Sequence, residues 1–254
     1  MVRNNKPKLP IENLLEHLKQ YKDAVIILGP DLYEDENNVF VVSEESKDIY
    51  SRKTMIKNPS VFWQYYNNNI AHTEMKQTNS MLAVQKLVDL NLHNAIIDTN
   101  TFTTVNGAIH PNGKDNLIKC VKCNKEYWSW ELNFNTNKVL KCDCGGNLKP
   151  TVLCYGEKYS TPIYNSVKDA IFGEENGKPV LNTHTLIFIG VDFTDSLVNE
   201  IIDSYDALKD NTHFTVVITD QLNKMDLVYY NPEFGVSDKI DEGIDRLISL
   251  LQQA

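Results

Sequence analysis

Short apolar runs alternate with amphipathic segments along most of the chain. Ile11, Leu14, Leu15 and Leu18 recur at helical spacing behind Pro10, with Tyr21 following, and predict a first helix. Ala24–Leu28 is wholly apolar and ends at Gly29-Pro30, the pattern of a strand buried on both faces of a parallel sheet. Residues 31–58 are polar and acidic and read as a long loop with one short strand at 39–42. Ser60 is placed to cap a helix carrying Val61, Phe62, Tyr65 and Tyr66. A second helix is expected from about Asn79, burying Met81, Leu82, Val84, Leu87 and Val88, and a strand at 95–97 follows it. From 103 to 150 the apolar periodicity is lost and Asn, Gly, Lys and Cys dominate. Then βα alternation resumes. A strand is predicted at 152–155, and a helix from Thr161-Pro162 through Phe172, with Pro at the first helical position. A strand at 185–189 ends in Gly190, and Asp195 caps a helix carrying Leu197, Val198, Ile201, Ile202, Tyr205 and Leu208. Strands are placed at 214–218 and 227–230, and Ser237 caps a last helix with Ile240, Ile244, Leu247, Ile248 and Leu251 inward.

About six short strands with helices between most of them define an α/β protein. The expected fold is a Rossmann-like, doubly wound, mostly parallel sheet with a small inserted module. Residues 1–102 and 151–254 form the large domain, with a loop and helical insert at 31–78, and 103–150 form the insert. Composition agrees: of 254 residues, 42% are hydrophobic and 23% charged, a globular balance. No apolar run approaches the ~20 residues that span a bilayer, and the first residues lack the apolar stretch of a signal peptide. An intracellular, cytoplasmic protein with no membrane contact is expected. With 25 basic and 34 acidic residues the net charge is −9, which argues against bulk nucleic-acid binding.

Four of the five cysteines lie between 120 and 144. Cys120-Val121-Lys122-Cys123 is a Cys-x2-Cys knuckle. After 18 intervening residues comes Cys142-Asp143-Cys144, a tighter Cys-x-Cys followed by Gly145-Gly146, which permit the sharp turn a second knuckle needs. Four thiolates with no open position make a structural zinc site. Cys154 lies on a predicted strand and reads as a small core residue.

The run Cys142-Asp143-Cys144-Gly145-Gly146-Asn147-Leu148-Lys149-Pro150, continuing to Tyr155-Gly156-Glu157, resembles the last zinc knuckle and following Phe-Gly-Glu segment of the sirtuins. The order of elements matches that family over nearly the whole chain. The resemblance implies a Rossmann-like domain with a zinc module, NAD as cofactor, and protein lysine deacylation or ADP-ribosyl transfer. It also implies a peptide groove that includes Tyr155, Gly156 and Glu157.

The family's catalytic motifs depart from this sequence. Its first βα turn, Gly-Ala-Gly-x-Ser, supplies backbone N–H groups to the NAD pyrophosphate. Here the turn is Gly29-Pro30-Asp31-Leu32-Tyr33. Pro30 removes a donor. Asp31, with Glu34, Asp35 and Glu36 close behind, adds negative charge where phosphate would approach; like charges at ~4 Å repel by about 1 kcal/mol in water. The family's Gln-Asn-Ile-Asp becomes Thr99-Asn100-Thr101-Phe102, which keeps the Asn alone. Thr-Asn also occurs in some sirtuin-like ADP-ribosyltransferases, which keep their glycine-rich turn. Counting back from Cys120, the family's His-Gly reads Asn112-Gly113, with His110 two residues earlier. The Gly-Thr-Ser turn reads Gly190-Val191-Asp192, and the ribose-binding Ile-Asn reads Ile218-Thr219, with Asp220 next.

Three readings follow. In the first, the chain is a catalytically impaired pseudoenzyme that binds a peptide or protein partner. In the second, it is a divergent active deacylase or ADP-ribosyltransferase. Asn100 and His110 are then its catalytic residues, Gly29, Asn100, Gly190 and Asp220 its NAD contacts, and Lys47, Arg52 and Lys53 the nearby basic groups. In the third, Asp31, Glu34, Asp35, Glu36, Asp98 and Asp192 form a site for a cation or basic ligand. The first is expected.

Overall fold

A computed structural model describes residues 11–33, 44–71, 78–101, 105–191, 193, 195–219, 234–236 and 239–253. In chain order the elements begin with α1 (Ile11–Tyr21), β1 (Ala24–Leu28) and a 3₁₀ turn at Pro30–Tyr33. Four helices follow: α2 (Glu44–Lys47), α3 (Arg52–Lys57), α4 (Pro59–Asn69) and α5 (Asn79–Asp89). Then come β2 (His93–Asp98), β3 (Leu117–Cys120), β4 (Glu126–Trp128), a 3₁₀ turn at Ser129–Glu131, and β5 (Leu148–Pro150). The chain continues with α6 (Thr161–Ile171), β6 (Phe172–Glu175), β7 (Lys178–Leu181), β8 (Thr185–Ile189) and α7 (Ser196–Leu208). It ends with β9 (Phe214–Ile218), β10 (Phe234–Val236) and α8 (Ile240–Gln253).

Five of these strands form one parallel sheet in the order β10-β9-β8-β1-β2. All five residues of β1, β8 and β9 are buried, as unbroken apolar strands require. Alternate side chains serve two cores. Ile26, Leu28, Ile187, Ile189, Val216 and Ile218 meet α1, α5 and α8 on one face. Val25, Ile27, Leu186, Phe188 and Val217 meet α6 and α7 on the other. The sheet is therefore wound on both sides, and the chain changes direction between β1 and β8.

A second, three-stranded antiparallel sheet, β4-β3-β5, carries the cysteines. Its inner face shares a third core with α3 and α4. Met55, Phe62, Trp63 and Tyr66 pack there with Ile118, Cys120, Phe134, Cys142 and Leu148. Trp63 stacks on Phe134 at 5.4 Å between ring centres and meets Phe62 edge-on at 5.1 Å.

Several local expectations change. The 31–58 segment is not one loop, since α2 and α3 lie in it; the strand at 39–42 falls outside the described residues. Ser60 is not a cap, because α4 starts at Pro59, whose missing N–H suits the first helical position, with Asn58 at the cap. Thr78 caps α5 by accepting the Met81 N–H at 3.1 Å, and Asp195 caps α7 as expected. Residues 152–155 make no strand. Leu153 donates to Asn112 O and Tyr155 to Tyr50 O, so two different segments take the hydrogen bonds one ladder would need. The β6–β7 hairpin lay unrecognised at Asn176-Gly177, whose φ values of 52° and 75° fit a type I′ turn. The strand at 227–230 and the Ser237 cap lie outside the described residues.

Candidate functional site

The parallel strands end together at one edge of the sheet, where open α/β folds place their ligands. Four loop starts meet there: Gly29-Pro30-Asp31 after β1, Thr99-Asn100-Thr101 after β2, Gly190-Val191 after β8, and Thr219 after β9. Gly29 packs directly on the β8 turn. A Cβ at this position would stand 2.2 Å from Gly190 O.

The backbone donors of the β1 turn are engaged within the fold. Gly29 N–H donates to Ile189 O at 2.9 Å and Asp31 N–H to Gly190 O at 3.0 Å. Leu32 N–H reaches Gly29 O at 3.4 Å, and Pro30 has no N–H. Asn100, 7% exposed, joins the same knot. Its Nδ2 donates to Gly29 O at 2.7 Å and to Asp98 Oδ1 at 3.2 Å, and its N–H donates to that oxygen at 3.0 Å. Thr99 Oγ1 donates back to Leu28 O at 2.8 Å. The ends of β1 and β2 are thereby tied to each other.

His110 is buried beside this knot. Ile109 bridges to Ile97, which sets the His110 Nδ1 3.9 Å from Asp98 Oδ2. Burial first, and Lys114 second, push the imidazole down to about 4, so it is neutral at physiological pH. Asn112, in the position the sirtuin resemblance gives to the His, donates from Nδ2 to Thr99 O at 2.6 Å. Asp115 lies further along the neck, the segment between β2 and β3 that leads into the cysteine module, and is 5% exposed, donating from its N–H to Thr101 O at 3.0 Å. Burial raises its carboxyl to about 7.

The structure thus brings Gly29, Asn100 and Gly190 into one cluster, with His110 reaching it through Asp98. Asp220, Phe102, Asp192 and Glu34 to Glu36 lie outside the described residues. Of the proposed carboxylate cluster, Asp98 is wholly buried and holds Asn100. Asp115 went unrecognised, because its burial is created by partners remote in sequence.

Tyr155, Gly156 and Glu157 sit in another neighbourhood. Tyr155 is 53% exposed and forms a bridge with Ser51, and the Lys47 ammonium stands 5.2 Å over its ring. Glu157 accepts from Lys149 Nζ at 2.6 Å and from Cys154 N–H at 3.1 Å. Burial pushes the Cys154 thiol up to about 12, which suits a core residue. Arg52 and Lys53 are exposed on α3.

The thiols of Cys120, Cys123, Cys142 and Cys144 lie within 4.8 Å of one another. Cys120 and Cys144 sulfurs are 3.5 Å apart, and those of Cys123 and Cys142 3.6 Å. Sulfurs around a tetrahedral zinc with ~2.3 Å bonds stand about 3.8 Å apart, so the donor set fits that ion. Tyr127, whose hydroxyl lies 3.1 Å from Cys142 Sγ, holds that thiol down to about 6. The β3–β4 turn sets the first pair, and the turn after Cys142, closed by Gly145 N–H to Cys142 O at 2.8 Å, sets the second.

No family model matches the chain. A Sir2 homologue solved as its NAD complex superimposes with a TM-score of 0.73 over 95% of this chain and 94% of its own, at 16% identity. A Sir2 structure bound to an acetylated peptide gives 0.66 over 97% and 100%, at 14% identity. The fold is therefore that of the Sir2 proteins. A curated NAD-dependent protein deacetylase of Sulfolobus acidocaldarius is 30% identical over 125 residues, 44% of this chain. The match spans 48% of that relative's length. In sequence the similarity to a sirtuin deacetylase reaches less than half of either chain, and in fold the similarity to Sir2 structures covers nearly all of this one.

Proposed function

We propose that this chain is a sirtuin-fold binding protein that has lost dinucleotide turnover, holds a structural zinc, and acts by engaging a peptide or protein partner. The carrying observation is the closed β1 turn. The N–H groups of Gly29, Asp31 and Leu32 already have protein acceptors, and Pro30 offers none. A pyrophosphate arriving there meets carbonyl oxygens and the Asp31 carboxylate in place of a nest of donors.

The residues left at the catalytic position support the same reading. General-base catalysis needs a group that exchanges protons near neutral pH and reaches the reacting atom. Asn112 does not titrate, and its amide is bonded to Thr99 O. His110 titrates far below neutrality and is buried beside Asp98. Asn100 serves as a brace between two strand ends. For binding, the relatives solved with peptides and the exposed Tyr155 support a partner at the Tyr155–Glu157 segment. Zinc chemistry at four thiolates is structural, since no coordination position stays open.

Turnover tests the reading directly. The zinc-loaded protein, incubated with millimolar NAD and a mixed acetyl-lysine peptide pool, is expected to release no nicotinamide above the blank. Release that disappears in Asn100→Ala would overturn the proposal and favour a divergent active enzyme.

A further inference from the structure

The zinc module presents an aromatic feature that the cleft does not use. Trp128 and Trp130 are 43% and 61% exposed, yet their rings stack with centres 4.9 Å apart and planes within 5°. The residue between them is a rigid mount. Ser129 is fully buried, donates from Oγ to Ala71 O at 2.8 Å and from its N–H to Asn116 O at 2.8 Å. Glu131 closes the turn by accepting the Trp128 N–H at 2.8 Å. Two large apolar rings are thus held in water in one fixed arrangement, and water contact gains nothing for either.

The charges at the pair favour a cation. Glu126 lies two residues before Trp128 on β4, so both side chains leave the same face of the strand. Glu126 and Glu131 are exposed, and neither forms an ion pair among the described residues. Lys119 faces Glu126 across the ladder without pairing with it, which leaves one net negative charge beside the indoles. The chain as a whole carries −9. Indole faces attract guanidinium and ammonium groups, and carboxylates at their rim add to that attraction.

The outer edge of β4 is blunted for strand addition. Ser129 N–H and Lys125 O both bond toward β3, so the Trp128 N–H points to the open edge, where Glu131 occupies it. A partner therefore meets side-chain faces. We infer that the Trp128–Trp130 pair, with Glu126 and Glu131, is a docking site for an arginine-rich segment of a protein partner. This inference is independent of what the cleft binds.

Trp63, the third tryptophan, is fully buried, so quenching by an added peptide reports on the exposed pair. The zinc-loaded full chain is titrated at low ionic strength with a peptide of alternating Gly and Arg. Matched titrations use a Gly-Glu peptide and a thymidine oligonucleotide. Saturable quenching by the Arg peptide is expected, weakened about fivefold in Trp130→Leu and in the Glu126→Gln/Glu131→Gln double variant. Trp130→Tyr, which keeps a ring face, should retain binding, and zinc content and Trp63 emission confirm that each variant is folded. Equal quenching of wild type and Trp130→Leu would overturn the inference. So would stronger binding of the oligonucleotide or the Glu peptide, or sedimentation showing the pair covered by a second copy of this chain.

Discussion

Asp115 is a carboxyl group with almost no water around it, hydrogen-bonded through Oδ1 to the Asn116 N–H at 2.8 Å. Its folded-state value of about 7 stands above the ordinary ~4 of an unfolded chain. Between those values the folded chain holds a proton that the unfolded chain has released. The group's contribution to stability is complete below about pH 4 and is lost as pH rises through 7. Asp115→Asn can keep the Asn116 bond and cannot titrate. Chemical denaturation of both proteins should show wild type losing about 2–4 kcal/mol relative to the variant between acid and neutral pH. Parallel pH profiles would contradict the buried placement. Gly29 makes a second residue-level demand. A methyl group there collides with the backbone at Gly190 and Val191, both at 2.2 Å. Gly29→Ala should cost about 2–3 kcal/mol in a urea titration, and a neutral result would mean that the two turns stand apart.

At the scale of elements, the zinc knuckles and the helix above them form one unit. Cys120 and Cys142 are buried in the same core as Phe62, Trp63 and Tyr66 of α4. A chelator strong enough to remove zinc should release one ion per chain and shift Trp63 emission to the red, because four unligated thiols no longer hold β3 and β5 against α4. Zinc loss with unchanged emission would show that the core stands without the metal. The elements differ in how far the sequence revealed them. β1, β8 and β9 were readable because burial on both faces demands unbroken apolar runs. The cysteine pairs were readable because ligand spacing is local. The module's sheet was hidden, since β4 and β5 are three residues each, too short for their alternation to stand out from a loop. The neck was hidden for a different reason: Tyr66, Asn112, Asp115 and Leu153 meet through bonds between distant segments. Departures from the family motifs were visible as letters. That the β1 turn closes on the β8 turn was visible only in three dimensions.

For the whole molecule, the sheet still ends in the cleft that open α/β folds use for ligands. Two turns meet in that cleft and bond to each other, and the surviving asparagine ties the first of them to the end of β2. The net charge of −9 adds a long-range repulsion toward a dinucleotide and an attraction toward basic partners. Cleft and charge together support the proposal of a sirtuin-like fold kept for binding. The most direct test is a calorimetric titration of NAD, taken to millimolar concentration, into the zinc-loaded protein. The account predicts no saturable heat. A dissociation constant in the micromolar range would contradict it, because the β1 turn would then have to open and offer its donors to a phosphate.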